Sequence, residues 1–393
     1  MAHLVLLAGS RFSESAYCQA RARLPVAVVR AVFEAFTARA VDSLAHSADP
    51  WRGHRVVIID GTGVATPDSP ELRELLGVPN GVAPGCGLPV AHVLAVFDAH
   101  HGLLLDLHVA PAHTHDLRHV HDLHPALREG DVLVGDRGLC SYVHLAVLAK
   151  AGIHGVFRMS DARAMPFPAK RGERTRRGYN RHRRHEPILV ELIDENDQIV
   201  EIVKPHNRPG HVSPELFASI PGKLIVRAVR YRVHAAGART RCVTLLTTLT
   251  DAAAYPAAAL AELYLTRWRI EVNLRHLKRT LGMDRLKCRD LDGVTRELLM
   301  YALVYNAACV VRARSAAARG VDPVRVSFID ALRWMLLEDE TSATPIRELK
   351  LWPLRPPRVH PRGIKRKASP FRVLRRPRQV IIARILANRA AAN

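Results

Sequence analysis

Apolar positions along the 393-residue chain change period several times, and each change marks an element. Leu24, Val28, Val32 and Phe36 recur four residues apart with Ala between them, which predicts helix over 11–48. Arg55–Asp60 is a continuous β-branched run stopped by Gly61, the pattern of a buried strand. Residues 66–89 are broken by Pro67, Pro70, Pro79, Gly81, Pro84, Gly85, Gly87 and Pro89, which predicts a long irregular loop. Val90–Phe97 and Leu103–Val109 read as two strands, and the short connection Asp98–Gly102 makes them a hairpin. A helix over Leu117–Leu127, a strand over Asp131–Asp136, a helix over Tyr142–Lys150 and a short strand over Gly155–Arg158 follow.

Hairpin first and βα units afterwards predict an α/β fold with a mixed sheet and flanking helices. This is the element order of a ribonuclease-H-like core. The period then changes to short alternating runs at Ile188–Ile193, Ile199–Lys204, Leu224–Val233 and Cys242–Leu249, as expected of an antiparallel, β-rich insertion. Helices resume over Tyr255–Thr280, Thr295–Ala318 and Phe328–Leu337. The expected organisation is therefore an amino-terminal helical segment (1–50) and the first part of the core (51–159). The insertion (160–254), the completion of the core with its last functional helix (255–350) and a basic tail (351–393) follow.

Composition narrows the function. Residues of the AVILMFWYC set make up 48%, enough for a sizeable core. No apolar run approaches the roughly 18 residues of a membrane span, and Leu4–Ala8 is too short for a signal-peptide core. The expected location is the cytoplasm, and no membrane partner is expected. The six cysteines form no CxxC pair, which argues against a zinc ribbon or a disulfide framework. The formal net charge of +21 implies a polyanionic partner, nucleic acid being the commonest. That charge is concentrated: Arg355–Arg389 holds twelve Lys/Arg and no acid, and Lys170–Arg184 holds eight with the single acid Glu173.

Candidate chemistry begins with Asp60 and Asp136, each at the expected carboxyl end of a buried strand, where sites form in open α/β sheets. Carboxylates so placed suit a hard cation such as Mg²⁺. On the helix over Leu260–Leu281, a turn of 100° per residue puts Tyr264, Arg267, Glu271 and Lys278 on one arc. Leu260, Leu263, Ile270, Leu274, Leu277 and Leu281 form a neighbouring apolar stripe. By spacing alone, Arg267 and Glu271 fit an ordinary i, i+4 ion pair equally well.

The spacing Tyr264-x₂-Arg267-x₃-Glu271-x₆-Lys278 resembles the signature of DDE transposases of the insertion-element-four family. Asp60-Gly61-Thr62 resembles the first-Asp motif of that family and Val134-Gly135-Asp136-Arg137-Gly138 its second, followed by Cys140-Ser141-Tyr142. The resemblance runs from about Ser13 to Lys287. It implies a ribonuclease-H-like nuclease core in which Asp60, Asp136 and Glu271 bind two Mg²⁺ or Mn²⁺ ions. These would serve strand cleavage and strand transfer at insertion-sequence ends. It also implies DNA contacts by Tyr264, Arg267, Lys278, Arg137 and Arg275, with self-association on paired ends and nucleoid association. The family pattern includes a segment ahead of the stretch resembling Ser13–Pro25, so end recognition and activity are expected to depend on such a segment. No Trp lies between Trp51 and Trp268, so a hairpin route does not follow. Two alternatives stay open: a plain metal-dependent nuclease, and a shortened DNA-binding relic that inhibits transposition.

Other clusters read as structural. Eight histidines lie in His100–His124, but their spacings match no closed zinc site, and solvated or DNA-facing side chains are expected. Trp268 and Trp334 are expected in the core, and Cys140 as packing. The glycines of 77–87 lack the strand–GxxxxGK[ST]–helix context, so no nucleotide cofactor is implied.

Overall fold

The structure, a computed structural model, describes residues 13–47, 50–83, 85–160, 167, 187–232, 242–337, 346–353 and 376–390. The basic run Lys170–Arg184 lies outside them, and of Arg355–Arg389 only the part from Arg376 lies within.

Among the described residues nine strands form one sheet: β1 Val56–Ala65, β2 Val90–Asp98, β3 Leu104–Pro111, β4 Val132–Gly135, β5 His154–Arg158, β6 Ile188–Asp194, β7 Asp197–Val203, β8 Lys223–Arg232 and β9 Cys242–Thr247. Their order is β3-β2-β1-β4-β5-β9-β8-β7-β6. The pairs β1/β4 and β4/β5 are parallel. Every other neighbouring pair is antiparallel. The sheet is therefore mixed, as the element order predicts. The four later strands are not a detached layer: β9 pairs with β5, so they prolong the same sheet.

The helices are α1 Glu14–Arg23, α2 Val26–Leu44, α3 Pro70–Leu76, α4 Tyr142–Lys150, α5 Pro214–Ser219, α6 Ala257–Thr266, α7 Trp268–Arg275, α8 Leu291–Ala317, α9 Phe328–Leu337 and α10 Arg378–Ala390. Several depart from expectation. The helix over 11–48 is cut at Leu24–Pro25, because Pro25 is extended and caps α2. The buried stripe of α2 is Val29, Phe33, Thr37, Ala40 and Leu44, whereas Leu24, Val28 and Val32 are exposed. The loop over 66–89 contains α3, started by the Ser69 hydroxyl accepting from the Leu72 N–H, with Pro70 in the first turn. Leu117–Leu127 is not an α-helix but two 3₁₀ pieces, Asp116–Arg118 and Val120–Ala126; Pro125 removes a donor from the second. Trp268 is half-exposed rather than core.

Against the expectation that no segment could span a membrane, α8 is long and apolar enough to do so by length and composition. The helix packs by its buried side on α2 and the sheet, where Tyr305 meets Phe97 edge-on. In the middle of that contact the fully buried Asn306 accepts from the Leu104 N–H (2.8 Å). Its amide donates to the Leu104 carbonyl (2.8 Å) and the Thr37 hydroxyl (3.0 Å). One side chain thus ties α8, α2 and the start of β3. Asn306→Ala leaves three buried polar groups without that partner. It should lower stability by about 2 kcal/mol, read as a fall in the denaturation midpoint at unchanged slope.

Candidate active site

Register puts the two aspartates side by side. Ile58 of β1 is level with Val134 of the parallel β4. Two residues further on each strand come Asp60 and Asp136, pointing to the same face because side chains alternate. Asp136 lies just past the end of β4, as expected. Asp60 does not end its strand: β1 runs on to Ala65, because its pairing with β2 continues after that with β4 has stopped. Backbone donors fix both carboxylates. The Gly61 N–H donates to Asp60 Oδ1 at 2.9 Å, and the Gly138 N–H donates to Asp136 Oδ1 at 2.7 Å.

The third acid arrives with α6 and α7. Their leucines seat them: Leu260, Leu263, Ile270 and Leu274 are buried, as is Leu277 just beyond. Arg267 joins the two helices in a helical conformation. Its guanidinium lies 3.4 Å from Asp60 Oδ2 and 3.8 Å from Glu271 Oε1. The i, i+4 pair is therefore present, but Arg267 is closer to a carboxylate on another element than to its helical neighbour. This shared cation draws Glu271 to the aspartate side. Arg267 also lies over the Tyr264 ring, 5.9 Å from its centroid.

After α7 the helix widens into a π turn, His276–Thr280. Such turns often mark functional places in helices. Here the turn carries Lys278, whose ammonium donates to Thr62 Oγ1 (3.1 Å) and to the Gly63 carbonyl (2.7 Å). Lys278 thus fastens the helix to β1 two residues beyond Asp60. Of the remaining sequence candidates, Tyr264 is buried, while Arg137 and Arg275 are exposed beside Asp136 and at the end of α7.

The electrostatics follow from crowding. Burial, with the neighbouring Asp136 charge adding to it, raises Asp60 to about 6 in spite of Arg267 and the Gly61 N–H. Burial pushes the Tyr264 phenol up, and burial followed by the Arg279 charge pushes Lys278 down. A raised acid beside a second acid marks a place where negative charge is in excess. Hard oxygen donors of that kind fit a divalent cation such as Mg²⁺. Glu271, 41% exposed at its side chain, faces solvent on the other side of Arg267 from Asp60.

A support behind Asp60 was not legible in the sequence. Gly61 points to the opposite face, where a Cβ would stand 2.7 Å from both Asp116 Oδ1 and His92 Cε1. Those two side chains are bonded at 2.5 Å (His92 Nε2 to Asp116 Oδ1). Gly61 is needed for this close approach, and no spacing rule links residues 61, 92 and 116.

The fold and site define an α/β protein whose mixed sheet gathers acids, flanked by cations, on one face. Comparison with known proteins gives the family. The model of the transposase DDE domain matches residues 51–307, which include all three acids, and the chain belongs to that family. Transposase InsG for insertion sequence element IS4, from Escherichia coli (strain K12), is 25% identical over 335 residues, covering 83% of this chain and 68% of that protein. The chain is thus a DDE transposase of the insertion-element-four type. Among solved structures, a piggyBac transposase synaptic complex with hairpin DNA aligns at a TM-score of 0.40 and 12% identity. That alignment covers 76% of this chain and 57% of the other.

Proposed function

We propose that the chain cleaves DNA strands at the ends of its insertion sequence and joins them to target DNA, on a ribonuclease-H-like core. The observation that carries this reading is the placement of Asp60 and Asp136 on one face of adjacent parallel strands, with Arg267 shared between Asp60 and Glu271. Asp60, Asp136 and Glu271 would hold two Mg²⁺ or Mn²⁺ ions. Such ions supply Lewis acidity to the attacking and leaving oxygens of an in-line displacement.

The protein's own groups do the rest. The Gly61 and Gly138 N–H groups fix the carboxylates before substrate arrives. Arg267 offsets negative charge where the scissile phosphate must enter between acids, and Tyr264, held under Arg267, limits its motion. Lys278 keeps the helix on β1, so Glu271 cannot drift from the aspartates. Arg137 and Arg275 present exposed cations to the flanking phosphates. In cleavage, water adds to phosphorus as the P–O3′ bond breaks, leaving a 3′-hydroxyl and a 5′-phosphate. In transfer, that 3′-hydroxyl attacks a target phosphate and releases a target 3′-hydroxyl. The partner is double-stranded DNA, transposon ends and target alike, with two copies assembling on paired ends and the protein residing on the nucleoid.

The test supplies pre-cut end DNA with a free 3′-hydroxyl, a target plasmid and Mg²⁺. Joined products support the transposase reading, while hydrolysis without joining points to a plain nuclease. Binding without either reaction points to a DNA-binding relic.

The basic segments add a second expectation. Each phosphate neutralised contributes about 0.9 to the log–log dependence of affinity on salt. Removing 355–389, with its twelve Lys/Arg, should flatten that slope and weaken binding to unrelated sequences alike. Filter binding at several salt concentrations reads it, and an unchanged slope would mean the tail is solvated and touches no phosphate.

A further inference from the structure

The histidine-rich stretch behind the sheet holds a group that the DNA chemistry does not use. His108 lies on β3, and His119 and Asp122 lie at the start of the 3₁₀ piece Val120–Ala126 that packs over it. His108 Nδ1 is 3.4 Å from Asp122 Oδ2, and His119 Nδ1 is 2.9 Å from the same oxygen. One potential ligand atom from each residue falls within 4.8 Å of the others.

This group is separate from the three acids. Asp60 pairs with Ala95, and Ala95 with Leu107, whereas Gly61 pairs with Leu94, and Leu94 with His108. His108 therefore points to the face opposite Asp60.

We propose that His108, His119 and Asp122 form a binding site for a borderline transition-metal cation of the Zn²⁺ type. Zinc bonds to imidazole nitrogen and carboxylate oxygen are about 2.0–2.2 Å long, so tetrahedral ligand atoms stand roughly 3.4 Å apart. The His108–Asp122 distance of 3.4 Å matches that value, and the 2.9 Å from His119 to Asp122 would open by about 0.5 Å on binding. Two imidazoles and one carboxylate favour zinc over magnesium, which prefers oxygen donors alone. In a 3₁₀ helix, side chains at i and i+3 lie above one another, so the backbone presents His119 and Asp122 together.

The two imidazoles are near-parallel, 19° between planes with centroids 4.4 Å apart. Each ring must turn towards the ion from that stack. The rotation lies about the broad terminal torsion of histidine, where it is cheap. Asp122 is exposed and both histidines half-buried, which leaves an entry path and a fourth position for water or a further ligand. The effect on the fold is a clamp. An ion here pins the start of the 3₁₀ segment to the edge strand β3, and the residues just before it carry Asp116, the support behind Gly61.

The test does not depend on the DNA reaction. In the full chain carrying Asp60→Asn, Asp136→Asn and Glu271→Gln, the acid site is disabled. Zn²⁺ alone is added, and bound metal is counted by mass spectrometry after dialysis. The expected result is a zinc equivalent that is lost, or bound at least tenfold more weakly, in His108→Ala, in His119→Gln and in Asp122→Asn. Zinc should remain in His113→Ala, an exposed control. Asp122→Asn is nearly isosteric and half in solvent, so its far-UV spectrum should match the parent and remove misfolding as an explanation. No bound zinc in the parent, or equal binding in the folded Asp122→Asn chain, would overturn the proposal. So would loss on His144→Ala with Asp122→Asn unaffected, which would move the site to the half-buried rings of His121 and His124 and the buried ring of His144.

Discussion

Glu271→Gln is expected to abolish Mg²⁺-dependent strand cleavage while leaving DNA binding intact or slightly tighter. The substitution keeps size and helix propensity, so α7 should stay seated on its leucines. What it removes is one anionic oxygen ligand and the negative charge near the incoming phosphate. Cation assistance is worth several kcal/mol in the transition state, so a drop of about 10³-fold or more in cleavage rate follows. An ordinary surface pair predicts something else. Losing an exposed i, i+4 contact costs only about 0.3–0.5 kcal/mol and should barely alter the rate. The 3.8 Å separation of Arg267 and Glu271, against 3.4 Å from Arg267 to Asp60, already argues that the arginine serves both acids. Single-turnover cleavage of labelled end DNA, with binding measured on the same preparation, separates the two readings. Near-normal cleavage by the Gln variant would remove Glu271 from the chemistry and leave the Tyr264–Lys278 spacing as helix charge pairing.

The parts of this molecule that sequence makes legible are those fixed by local pattern. Tyr142–Lys150 and Phe328–Leu337 are helices at the bounds the apolar period predicts. The β2/β3 hairpin and the four later strands also lie where alternation places them, within a residue or two. Leu260, Leu263, Ile270, Leu274 and Leu277 are buried as the stripe requires, and this orients Glu271. Failures occur where a neighbour decides. On α2 the more conspicuous valines, Val28 and Val32, face solvent, because packing against α8 selects Val29 and Phe33 instead. The end of β1 could not be read from Gly61, since β2 supplies pairing past it. Nor could the fused sheet, which depends on β9 meeting β5 across the whole length of the insertion. The histidines divide in the same way. His113 and His115 are exposed as expected, but His101 is buried and His121 and His124 are half-buried, each bearing a buried nitrogen without a hydrogen-bond partner. Spacing shows that imidazoles are numerous, and only the packing of the 3₁₀ pieces on β2 and β3 shows which of them meet.

Asp60→Asn is expected to make the metal-free protein more stable at neutral pH, in spite of removing an ion-pair partner of Arg267. Burial and the Asp136 charge hold Asp60 at about 6, above its ordinary 3.8, with the attraction of Arg267 already included. The folded state therefore keeps a proton that the unfolded chain releases first. Stability is lost as pH rises from about 4 to about 6, and above that the ionised Asp60 imposes its full cost. Two units of pKa correspond to at most about 3 kcal/mol. The Asn variant escapes this cost, so its advantage should be greatest near pH 7.5 in chelator and disappear near pH 4. A divalent cation should reverse the order, because binding the folded state stabilises it in proportion to the logarithm of cation concentration. The parent should gain stability with Mg²⁺ while Asp60→Asn gains little. Denaturant titrations at pH 4, 6 and 7.5, with chelator and with Mg²⁺, read all of these outcomes. If Asp60→Asn is less stable than the parent at pH 7.5 in chelator, the Arg267 pair outweighs the crowding. Asp60 would then be a structural ion-pair residue rather than an acid kept in an unfavourable place for a cation.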